Sequence, residues 1–81
     1  MHASIKLTDI GIGTRCTIQS LKAHPETCQQ LREMGFRERT VVCTVVKTSS
    51  QLICEVHNTR VGLSHRIAST IFVLPLDSQR N

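Results

Sequence analysis

Between Thr40 and Lys47 the chain reads Thr-Val-Val-Cys-Thr-Val-Val-Lys. β-Branched side chains lose rotamer freedom in a helix and sit well on a pleated strand. The run therefore predicts a strand, and apolar residues on both of its faces predict packing on both sides. Thr48-Ser49-Ser50 reads as a turn. Gln51 to His57 then returns with Leu52, Cys54 and Val56 on one face and Glu55 and His57 on the other. A β-hairpin thus occupies the middle of an 81-residue chain, which is long enough for one domain only. We assign residues 1–81 to that domain, with its core over about 5–75.

The flanking segments are short and alternate in kind. Leu7-Thr8-Asp9-Ile10-Gly11-Ile12-Gly13 is a turn-rich entry. Arg15 to Leu21 alternates, with Cys16 and Ile18 on one face, as a half-buried strand does. Pro25 suits the first position of a helix, and Glu26 complements the positive end of its dipole. Cys28, Leu31 and Met34 make an apolar stripe at helical spacing, Gly35 fits the left-handed position past the helix end, and Phe36 follows where a Schellman cap needs an apolar side chain against Leu31. This predicts a helix over about 25–34 with Leu31, Met34 and Gly35 at its cap. Asn58-Thr59 reads as a second turn and Arg60 to Leu63 as a short strand. Ser64 caps a small helix carrying Ile67 and Ala68, and Phe72 to Leu74 is a last strand stopped by Pro75. Five strands with two helical insertions predict a mainly β fold. Its form is a small, partly open barrel with one helix after the first strand and a short helix before the last.

Composition narrows the function. The two Phe are the only aromatic residues, which disfavours base stacking and proline-ligand grooves. Ten Lys and Arg against six Asp and Glu leave a net charge of +4. The cations are scattered apart from Arg32 to Arg39, where Glu33 and Glu38 interrupt them. A mixed solvated surface is favoured over a nucleic-acid stripe. No apolar run has the roughly 18 residues of a membrane span, and no secretion signal opens the chain, so a cytoplasmic location without membrane insertion is expected. Cys16, Cys28, Cys43 and Cys54 form no CxxC pair; reduced, mostly buried thiols are expected, with Cys16, Cys43 and Cys54 on inward strand faces and Cys28 on the apolar stripe of the helix.

The order of segments resembles the FeoA family of bacterial ferrous iron uptake. Leu7-Thr8-Asp9-Ile10 with Gly13 is similar to its opening, and Leu31-Arg32-Glu33-Met34-Gly35-Phe36 to its "L-x-x-[LM]-G-[LF]" segment. Thr59-Arg60-Val61-Gly62-Leu63-Ser64, with Ala68 and Ile71-Phe72-Val73, is similar to its ending. The resemblance covers most of residues 5–74. It implies an SH3-like β-barrel and, as partner, the cytosolic GTP-binding domain of the membrane iron transporter FeoB. The family often carries Pro-Gly after the helix, where this chain has Glu38-Arg39. A related domain ends iron-dependent repressors, whose helix-turn-helix half has no counterpart in this sequence.

No motif here supplies a nucleophile with its base, a phosphate loop or an HExxH zinc site, so neither an enzyme nor a cofactor is expected. His24, Cys28, His57 and His65 are the possible metal ligands. Pro25 forces His24 out of helix geometry, Cys28 lies on the apolar stripe, and His57 and His65 stay as weak candidates. Three functions remain: an accessory protein docking on a transporter, a small basic nucleic-acid-binding barrel, and an iron or zinc carrier. For the first, Phe36 flanked by Arg37 and Arg39 is the expected contact surface, since an apolar anchor rimmed by arginine is typical of binding hot spots. Glu55, His57 and Arg60 are the next candidates.

Overall fold

The structure is a computed structural model and describes residues 3–76. It holds six strands: β1 (Ile5–Lys6), β2 (Arg15–Leu21), β3 (Val41–Lys47), β4 (Gln51–Val56), β5 (Thr59–Ser64) and β6 (Ile71–Pro75). Two helices are inserted, α1 (Pro25–Glu33) and α2 (His65–Ala68). All strands pair antiparallel in one sheet ordered β1-β6-β2-β3-β4-β5. The sheet curls into an SH3-like barrel left open between β1 and β5. The expected count of five strands misses β1, whose two residues carry no periodicity of their own. They are held by pairing Ile5 with Val73 and Lys6 with Phe72. α1 therefore follows the second strand, not the first.

The core lies inside the barrel. Leu7, Ile18, Leu31, Phe36, Leu52 and Ile71 are among its fully buried side chains. Burying each is worth about 1.5–3 kcal/mol, so this cluster is the main support of a chain this short. β3 departs from expectation. Val42 and Thr44 point inward, whereas Val41 is 36% exposed and Val46 40%. The outer face of the sheet is solvated, as one face of an antiparallel sheet often is. A register shift between Thr44 and Val46 also breaks the strand's alternation. Buried Thr44 is satisfied by a hydrogen bond between its Oγ1 and Cys54 Sγ at 3.7 Å.

Both ends of α1 follow local chemistry. His24 is extended at φ −55°, ψ 143°, and its Nδ1 accepts from Glu26 N at 3.3 Å. At the other end Phe36 N donates to Leu31 O at 2.9 Å and Gly35 N to Arg32 O at 3.1 Å. This is the Schellman pair, and Gly35 closes it at φ +104°. Met34, however, is 43% exposed and leaves the apolar stripe. The helix ends there, and the Met34 side chain lies at the rim of a groove it shares with β5 and Ile67. Ser64 Oγ accepts from Ile67 N at 3.1 Å and starts α2 as expected. The tight turn before β5 falls at His57 and Asn58, with φ +52° and +60°, one residue earlier than the sequence suggests. β6 starts at Ile71, one residue before the expected strand, and ends on Pro75, which lies opposite Cys16, so the chain stops pairing at this proline as expected.

Candidate partner-binding surface

The segment from Arg37 to Thr40 leaves the cap of α1 and enters β3. Thr40 N donates to Arg37 O at 3.1 Å, closing a four-residue turn with Arg39 at φ +74°. Left-handed φ at the third position only, with the end-to-end bond, defines a type II turn. That turn favours Pro then Gly at its centre, the pair the resemblance leads one to expect, and here Glu38 and Arg39 occupy those places. Arg39 N is anchored to Ile18 O at 2.7 Å, which holds the turn on β2. A non-glycine residue in this region costs about 1–2 kcal/mol.

The side chains around the turn divide into paired and free. Arg32 and Glu38 form an ion pair, with Nη2 to Oε2 at 3.0 Å and Nε to Oε1 at 3.4 Å. This hydrogen bond holds the Glu38 carboxyl below the usual carboxylate range. Both side chains are more than 40% exposed, so the pair adds little to stability. Arg37 Nε donates to Arg32 O at 3.1 Å, a cation on the negative end of the helix. The Arg39 guanidinium makes no hydrogen bond or ion pair among the described residues, and it is exposed. Phe36, expected beside these arginines as an exposed anchor, is fully buried. It completes the core under the cap, so the surface is polar and cationic, with Met34 as its exposed apolar residue.

The next candidates lie round the corner. Gly35 abuts the β4–β5 turn: a Cβ there would stand 3.1 Å from His57 Cδ2. Beyond His57 a recess of about 360 Å³ opens on the outer face of the sheet, lined by Arg15, Val41, Cys43, Glu55 and Asn58. Register places Arg15 opposite Cys43, Cys43 opposite Glu55, and Glu55 opposite Arg60. The recess thus gathers a thiol, a carboxylate and an imidazole. Among the described residues, though, no three His, Cys, Asp or Glu side chains are arranged to hold a metal ion. His65 sits elsewhere, at the first position of α2, and is not brought to His57. All four thiols are free. Cys16, Cys28 and Cys54 are buried, and burial pushes the Cys16 and Cys54 thiols up. Cys43 is half-buried on the solvent side, against the inward position expected for it. A link between Cys43 and Cys54 is disfavoured, because Cys54 faces inward opposite Thr44 while Cys43 faces outward opposite Glu55.

The chain is thus a small SH3-like barrel whose exposed polar groups gather on a helix cap and the loops beside it. The FeoA domain model matches residues 5–75. The chain belongs to the FeoA family. Solved structures carry the same fold. FeoA from Chlorobium tepidum is 17% identical, with a TM-score of 0.85 over 94% of this chain and 74% of that one. A zinc complex of FeoA from Stenotrophomonas maltophilia, a procaryotic SH3 domain protein, is 24% identical, with a TM-score of 0.74 over 89% of each chain. A manganese-dependent transcriptional repressor is 15% identical, with a TM-score of 0.85 over 94% of this chain and 44% of that protein. No curated protein matches the sequence. Among the described residues no helix is long and apolar enough to cross a membrane.

Proposed function

We propose that this chain is an accessory protein of bacterial ferrous iron uptake that docks on the cytosolic GTP-binding domain of a FeoB-type transporter. Its contact surface is the helix cap and type II turn, with Arg37 and Arg39 as the binding cations. Family membership supports the iron-transport role, and so does the Stenotrophomonas relative, described as a candidate ferrous iron transport activating factor. The observation that carries the surface is Arg39 itself. Its guanidinium is exposed and makes no hydrogen bond or ion pair among the described residues, and its backbone occupies a left-handed position that glycine would fill without strain. Strain held at an exposed polar residue is a recognised mark of functional sites. Arg37 shares the turn, with its Nε on the helix carbonyl and its remaining guanidinium nitrogens available to a carboxylate.

Docking regulates the transporter only if affinity differs between its nucleotide states, because a ligand shifts an equilibrium by its differential affinity. The test is calorimetric titration of the transporter's cytosolic domain, loaded with GDP or with a non-hydrolysable GTP analogue, against wild type and the double variant R37E/R39E. Wild type is expected to bind, more weakly as salt rises, and the variant to stay folded and bind at least about tenfold more weakly. Equal affinity of variant and wild type at low and moderate salt overturns this surface.

A further inference from the structure

Two walls of a second groove meet beside the free end of the sheet. One wall is α1, which contributes Thr27, Gln30, Leu31 and Met34, spaced three, four and seven residues along the helix. The other is β5, contributing Gly62, Leu63 and Ser64, with Ile67 of α2 at the end. The groove has a volume of about 200 Å³. Successive side chains of a strand point to opposite faces, yet three successive residues of β5 line this one groove. It therefore looks onto the edge of the strand. β5 is the last strand of the sheet and pairs with β4 alone, from Thr59 opposite Val56 to Ser64 opposite Gln51, with no register shift. No described strand pairs with the outward side of β5, so the outward N–H and C=O groups of Arg60 and Gly62 are not used by the sheet. The strand contains no proline and no bulge, two of the devices that usually blunt an exposed edge. The opposite edge, β1, is only two residues long. Gly62 leaves the approach open, since a Cβ there would meet nothing within 4 Å.

We propose that this groove binds an extended segment of the docking partner as a seventh strand, paired to the β5 edge, with an apolar side chain seated against Met34 and Ile67. The strand edge selects the occupant's conformation, because only an extended chain repeats its donors and acceptors in step with β5. Charge selects its sign. α1, the turn after it, β5 and α2 carry Arg32, Arg37, Arg39, Arg60 and Arg66 against Glu26, Glu33 and Glu38. The segment is therefore acidic at its flanks. The same excess, and the net +4 of the chain, oppose a second copy of the protein in that place. The groove is continuous with the turn proposed above as a contact surface, since Met34 belongs to both. The inference rests on that docking reading and names the part of the partner that enters.

The experiment uses the full chain and the isolated cytosolic domain of a FeoB-type transporter. Affinity is measured for wild type, G62L and M34E, with thermal melts as folding controls, and hydrogen exchange of the backbone amides is followed by NMR in the free and bound protein. A Cβ at position 62 meets nothing within 4 Å and Gly62 is exposed, and M34E alters an exposed residue, so both are expected to fold. Each should weaken binding at least about tenfold, and outward amides of β5 should become protected in the complex. Binding with no new protection in β5 overturns the added strand while the docking reading stands. Unchanged affinity of two folded variants does the same. Absence of wild-type binding overturns both readings. If either variant fails to fold, the exchange measurement on wild type decides alone. A dimer in sedimentation that protects β5 without the partner assigns the edge to a second copy and overturns the proposal.

Discussion

Lys47 is the residue whose replacement tests the packing most directly. It ends β3, and its Nζ donates to Thr8 O at 2.8 Å and to Ile10 O at 3.0 Å. Those carbonyls belong to the 3₁₀ turn Leu7–Asp9 and the residue after it, 39 and 37 positions away in sequence. The ammonium thus fastens the entry of the chain to the central hairpin. Leu7 and Ile10, which flank the fastened carbonyls, are both buried in the core. Lys47→Met keeps the length of the stem and removes the charge and both donors. A hydrogen bond to a charged group contributes about 1.5–3 kcal/mol net. Lys47 is only half-buried, and water can reach the freed carbonyls, so two such bonds sum to about 2–3 kcal/mol here. For a domain this small the melting temperature should fall by about 10–20 °C. Urea unfolding followed by circular dichroism gives the free energy, and exchange of the Ile10 amide, which donates to Leu7 O at 3.2 Å, reports the local loosening. A variant that melts within a degree or two of wild type, with Ile10 still protected, would refute the view that this lysine holds the entry turn.

Three further outcomes follow from particular residues. Gly35→Val should cost about 1–3 kcal/mol, since a β-branched side chain is strained at φ +104° and would press on His57 and Val56; an unchanged urea midpoint contradicts the cap. Arg39→Gly should be neutral or stabilising by up to about 1 kcal/mol, because relief of left-handed strain offsets the entropy glycine adds to the unfolded chain; a loss of more than about 1 kcal/mol in the same assay contradicts the turn assignment. A thiol reagent at neutral pH should modify Cys43 well before Cys16, Cys28 and Cys54, read by intact mass and peptide mapping. Because burial raises the folded Cys16 and Cys54 thiols, their contribution is complete below the unfolded thiol range. Stability should then fall as pH rises through the folded values, and a rise in stability over that alkaline range contradicts their burial.

The elements legible in the sequence are those whose cause is local. Pro25, Glu26, Gly35 and Phe36 determine where α1 starts and stops, because caps satisfy backbone groups within a few residues of themselves. The alternation of β2 and β4 and the cap at Ser64 are local in the same sense, and the segment order was enough to point to the family. Tertiary structure decided everything that depends on which strands are neighbours. β1 exists only because β6 accepts it, and β3 turns one face to water because none of the described residues covers the outer sheet. Phe36 was readable as a cap residue, but its complete burial depends on the barrel closing around it. The staple from Lys47 to Thr8 and Ile10, and the groove between α1 and the free edge of β5, left no mark in the sequence. Each joins segments tens of residues apart, and sequence periodicity reports which face of an element is apolar without naming the element that will meet it.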